Sequence, residues 1–103
     1  MDKKEPKITK GEFTKIVNEV LNEILGYETK EALIFHICLR KGFSKEEISD
    51  NIDKILQCLE ELFGWASEVI FNEIILKLKL DYNIQIDNKK DLFNLAKEIA
   101  KLK

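Results

Sequence analysis

His36 is the sole histidine of the chain, so any acid–base, nucleophilic or metal-binding scheme that needs an imidazole has one candidate. The candidate partners for a metal ion are the two cysteines, Cys38 and Cys58. On a helix, residues 36 and 38 are turned about 200° from each other, so their side chains diverge and cannot grip one ion. No metal centre is expected. His36 instead shares a narrow polar stripe with Thr29 and Arg40, and His36 with Arg40 forms the one polar site worth following. The expectation for it is a boundary imidazole bonded to a neighbouring helix end, with ligand binding or pH sensing as the alternative.

Carboxylates pair at Glu19 and Glu23, one helical turn apart, and at the adjacent Glu60 and Glu61. An acid–base couple must split its two pKa values, which takes burial, and both pairs lie opposite apolar stripes on faces open to water. They are expected to be solvating. The chain has no glycine-rich phosphate loop, no Gly-x-Ser-x-Gly elbow and no His-Glu-x-x-His. No catalytic residue, no cofactor and no enzymatic activity are therefore expected.

Residues 32–62, with Gly42-Phe43-Ser44 as a turn, have the outline of a helix-turn-helix. The recognition helix would present Asp50, Asp53, Lys54, Glu60 and Glu61, an acidic face that repels phosphates. Lysines gather instead at the two ends, with Lys3, Lys4, Lys7, Lys10 and Lys15 at one and Lys89, Lys90, Lys97, Lys101 and Lys103 at the other. A nucleic-acid-binding protein using these termini is the alternative to the reading preferred below. The whole-chain balance, 17 basic against 19 acidic residues, draws it to no polyanion.

What must position these residues is a set of helices. The 103 residues suffice for one core, and 45% hydrophobic content with four Gly and one Pro lacks the punctuation of an all-β protein. Residues 1–10 are polar and aperiodic, so they are read as a flexible lead-in before a single domain over 11–103. No export signal or membrane span is seen, so the chain is expected in the cytoplasm with its cysteines as free thiols.

Phe13, Ile16, Val17, Val20, Leu21, Ile24 and Leu25 form one stripe, predicting a helix over residues 12–25 that Gly26 ends. Thr29 is placed to cap a second helix running to Lys41, apolar over most of its circumference and closed by Gly42. Ser44 and Glu47 make a capping box for a short turn that breaks near residues 49–51. Ile52, Ile55, Leu56, Leu59, Leu62 and Phe63 mark a third helix ended by Gly64. A fourth follows from Trp65 to about Tyr82, again apolar nearly all round. Residues 83–86 read as a link with an extended segment, and Asp87 or Asn88 caps a last helix with the stripe Leu92, Leu95, Ala96, Ile99 and Leu102.

From residue 25 to about residue 80 the chain resembles an archaeal family of small all-helical domains, the Nitrosopumilus output domain. The carriers are Leu25-Gly26, Ala32-Leu33 followed by His36, and Phe63-Gly64 followed by Ala66 and Val69-Ile70. The resemblance implies an archaeal protein that stands alone or serves as the output part of a signalling protein. It implies no catalytic residues.

The expectation is thus an all-α, compact, non-repetitive bundle of five main helices plus one short turn, with the second and fourth helices central. Its core is expected to include Ile16, Val20, Leu33, Ile37, Leu56, Leu59, Val69, Ile70, Ile74 and Leu95. Two helices apolar nearly all round strain what so small a domain can enclose, so either the other three main helices cover both in a monomer or an apolar patch remains for another surface to bury. Phe35, Leu39, Phe71, Leu78 and Tyr82 are expected at such a patch, where the chain meets a protein partner, most simply as a homodimer. The functional expectation is a small intracellular interaction or regulatory module.

Overall fold

The computed structural model describes residues 7–102. It is all-α, with no strand among the described residues. The order is α1 (Lys10–Leu25), α2 (Tyr27–Lys41), two 3₁₀ turns (Lys45–Glu47 and Ser49–Asn51), α3 (Ile52–Phe63), a third 3₁₀ turn (Gly64–Ala66), α4 (Ser67–Tyr82) and α5 (Lys89–Ala100). The single short turn expected before α3 is thus two, and another opens the segment read as the start of the fourth helix.

Local chemistry sets these boundaries. Thr9 Oγ1 accepts from the Glu12 N–H at 3.1 Å and Glu12 Oε1 accepts from the Thr9 N–H at 2.9 Å, a closed capping box. Ile8, just before the cap, is buried in the core. Residues 8–10, read from sequence as lead-in, therefore belong to the folded body, while residues 1–6 lie outside the described residues. Gly26 (φ 87°) turns the chain so sharply that α2 begins at Tyr27, two residues before the expected Thr29 cap. The Ser44–Glu47 box forms as read, with the Ser44 N–H donating to Glu47 Oε1 at 2.8 Å. Asn88 caps α5, its Oδ1 accepting from the Asp91 N–H at 2.9 Å. Residues 83–86 are a link, not a strand, and they bury Ile86.

The core is assembled from one face of every helix. α1 packs against α2 and α4, and α3 lies mainly on α5. Phe13, Val20 and Leu21 of α1 meet Ile55, Leu56 and Leu59 of α3, Ile74 and Leu78 of α4, and Leu92 and Ile99 of α5 in one cluster. Phe71 and Phe93 close it with an edge-to-face pair, centroids 5.2 Å apart.

The expectation that α2 and α4 are central is corrected: both keep a wide exposed face, as do the other helices. A chain of this length has too little volume to enclose a helix on every side. Of the expected core, Ile16, Val20, Ile37, Leu56, Leu59, Ile70 and Ile74 are buried, Leu33 and Leu95 are half-buried, and Val69 is exposed.

Candidate functional site

Where α1 and α2 diverge, the two 3₁₀ turns fill the opening and leave a cleft of ≈ 400 Å³. Thr14 Oγ1 donates to Ser49 Oγ at 3.0 Å and Lys10 Nζ meets Asp50 Oδ1 at 2.5 Å, fixing the turns to α1. On the α2 wall stands Lys30, whose residue exposure is 3%. Its ammonium donates to Glu31 Oε2 at 2.5 Å and lies 5.0 Å from the centre of the Tyr27 ring. Glu31 Oε1 also accepts from Lys45 Nζ at 3.0 Å.

The two lysines hold the Glu31 carboxyl below the usual carboxylate range, Lys30 through its hydrogen bond more than Lys45. The bond to Glu31 in turn pushes the Lys45 ammonium up. Lys30 and Lys45 face Glu31 and Glu46 around the cleft, so its lining charges cancel. The arrangement is a strut that ties α2 to the turns, and it offers an anion no surplus of positive charge. Sequence reasoning missed it because a lysine next to a glutamate reads as a solvated helix face.

The Glu31–Lys45 bridge also walls the cleft off from a second depression of ≈ 340 Å³, lined by Ile34, Phe35, Cys38, Leu39 and Phe43. Phe35 and Leu39, one turn apart, stand 66% and 69% exposed on its rim. Burial pushes the Cys38 thiol up, so it serves as an apolar wall. Both cysteines are buried and free.

His36 and Arg40 are exposed on α2. The Arg40 guanidinium reaches Glu61 at 4.0 Å, and Lys41 Nζ reaches the same oxygen at 3.3 Å. Neither of the two depressions is lined by His36 or Arg40. Among them, too, no three His, Cys, Asp or Glu side chains form a metal-binding group.

The expected interaction residues divide. Phe35 and Leu39 are at the surface, Tyr82 is half-buried, and Phe71 and Leu78 are in the core. This corrects the last two: α4 is rotated so that Ile70, Phe71, Ile74 and Leu78 face inward, which turns Val69, Leu76 and Leu80 out. With Trp65 of the preceding turn, these make a second exposed apolar surface.

Comparison with protein family models, with curated proteins and with solved structures gives no match. The lysine-rich ends are partly neutralised, Lys10 by Asp50 and Lys89 by Glu60. Lys3, Lys4 and Lys103 lie outside the described residues. No helix of the described residues is long and apolar enough to cross a membrane.

Proposed function

We propose that this chain is a small cytoplasmic protein-interaction or regulatory module that acts by presenting apolar surface, without catalysis and without a cofactor. The observation that carries the reading is the pair Phe35 and Leu39, exposed side by side over the groove of Cys38 and Phe43. A benzyl and an isobutyl group one turn apart, over a concave apolar floor with a charged bridge at one edge, form the anatomy of a contact surface. The neutral lining of the polar cleft and the ion-paired lysines at Lys10 and Lys89 weigh against a polyanion as the partner. The segment from Leu25-Gly26 to Val69-Ile70 that resembles the archaeal output-domain family supports the same class of role, at the output end of a signalling chain.

The test uses the wild-type chain and a Phe35→Glu, Leu39→Glu variant as paired baits in extract of the native host. Proteins retained by the first and lost with the second support the reading. Identical captures on both baits, or salt-sensitive micromolar binding of mixed oligonucleotides by the wild type, overturn it in favour of another surface or of nucleic acid.

A further inference from the structure

The outward face of α4 and the turn before it carries Trp65, Val69, Asn72, Leu76 and Leu80. At about 100° per residue, α-helical geometry places the α4 members Val69, Asn72, Leu76 and Leu80 within a stripe about 80° wide, and Trp65 stands in the 3₁₀ turn just before the helix. The four apolar members are 86%, 58%, 46% and 74% exposed, so nothing among the described residues covers them.

Their order along the helix has a symmetry that identifies an occupant. Trp65 and Leu80 lie equally far on either side of the midpoint between Asn72 and Glu73, and so do Val69 and Leu76. A second α4, laid antiparallel with a two-fold axis through that midpoint, meets Trp65 with Leu80 and Val69 with Leu76, twice each. The charges agree. Glu68 and Lys79, both exposed, lie eleven residues and about three turns apart on one flank of the stripe. In an antiparallel pair the same flank of each helix faces its copy, which brings Glu68 of one chain near Lys79 of the other at both ends. Lys79 now meets Asp87 at 3.4 Å, an exposed contact that leaves its ammonium free to swing. Asn72 and Glu73 flank the axis, so Asn72 of one chain lies across from Glu73 of the other. The interface is isologous, as a two-fold dimer requires.

We infer that α4 is the dimerisation helix of this protein, with a second copy of the chain docked antiparallel about the midpoint between Asn72 and Glu73. The inference rests on the reading of the chain as an interaction module and names one of its partners; it leaves the α2 groove free. One helix pair covers less than the ~800 Å² per partner of a standard interface, so the dimer is expected to be micromolar.

Sedimentation equilibrium over a hundredfold concentration range reads the association. Wild type is expected to pass from monomer to dimer, and Leu76→Glu to weaken the dimer by more than about tenfold. Phe35→Glu with Leu39→Glu on α2 should leave it unchanged. Glu68→Lys should weaken it, and adding Lys79→Glu should restore it, because the swap regenerates both pairs. As a positive readout on a folded chain, Asn72→Cys should give a disulfide-linked dimer on mild oxidation while Lys54→Cys does not. A wild type monomeric throughout, a dimer lost with the α2 variant, or an Asn72→Cys chain that fails to cross-link each overturns the inference. Since the bait experiment reads α2 alone, failure here leaves that result standing and the two outcomes distinguishable.

Discussion

Lys30 and Glu31 are sequence neighbours, yet their side chains meet, Nζ to Oε2 at 2.5 Å, with the ammonium stem buried and the carboxylate at the mouth of the cleft. A buried cation that loses its counter-charge is left unpaired, which is the costly way to break such a pair. Glu31→Gln is expected to lower Tm more than Lys45→Gln does, because Lys45 is the exposed partner.

The same pair sets an acid limit. The folded-state pKa of Glu31 is lowered from 4.5, so its contribution is fully present above the unfolded value and disappears as pH falls through the folded one. Between pH 7 and pH 3, thermal melts of wild type and Glu31→Gln should therefore converge on the acid side. A difference in Tm that stays constant with pH would show that the carboxylate charge is not what matters.

Helix α4 supplies a test of which way it faces. Phe71 is 1% exposed and packs edge-on against Phe93, whereas Leu80 is at the surface. Phe71→Ala should cost about 3–5 kcal/mol, as expected for emptying a core aromatic site. Leu80→Ala should stay within about 0.5 kcal/mol when urea melts are run dilute enough to hold the chain monomeric. Comparable losses at the two positions would mean that the helix is rotated from the orientation described.

That rotation is where the sequence stops being informative. In α1 and α3 the apolar residues occupy one narrow stripe, so the spacing alone marks Ile16, Val20, Leu56 and Leu59 as core. In α4 apolar side chains surround the axis, and from the sequence Val69 is expected inside and Phe71 outside; packing against α1 and α5 reverses the two. The capping residues Ser44 and Asn88 are legible because each works through bonds to its own next turn. Thr29 reads as a cap but is not one, because Gly26 starts α2 earlier, by a backbone angle that no side-chain pattern encodes. The Lys30–Glu31–Lys45 strut depends on how close the turn at Lys45–Glu47 comes to α2, a distance set by the whole fold.

Two glycines should respond in opposite directions to the same substitution. Gly64 sits at φ 56°, ψ −132°, donates its N–H to the Glu60 carbonyl and accepts the Ser67 hydroxyl at 2.6 Å. A Cβ meets no neighbour there, so the penalty for Gly64→Ala is backbone strain alone, about 1–3 kcal/mol. Gly11 lies in the first turn of α1 with open space around it. Gly11→Ala should therefore stabilise by about 0.5–1 kcal/mol through the lost freedom of the unfolded chain. Urea denaturation of both variants checks the pair of signs.

The thiols give the last prediction, which couples reactivity to folding. Cys58 is fully enclosed and Cys38 is 8% exposed, with burial as the main cause that raises the Cys38 pKa from 9.0. A thiol held protonated in the fold but free to ionise in the unfolded chain makes the unfolded state bind fewer protons. Stability is then unaffected below the unfolded value and falls as pH rises above 9.0 towards the folded one. Neither thiol should react at pH 7 with a bulky disulfide reagent faster than the chain opens, and Cys38, at the floor of the α2 groove, should lead. Replacing Cys38 with Ala should remove the faster phase and lessen the alkaline loss of stability, leaving the part that Tyr82 and the ion-paired lysines contribute. If that loss persists unchanged in Cys38→Ala, its source is another group.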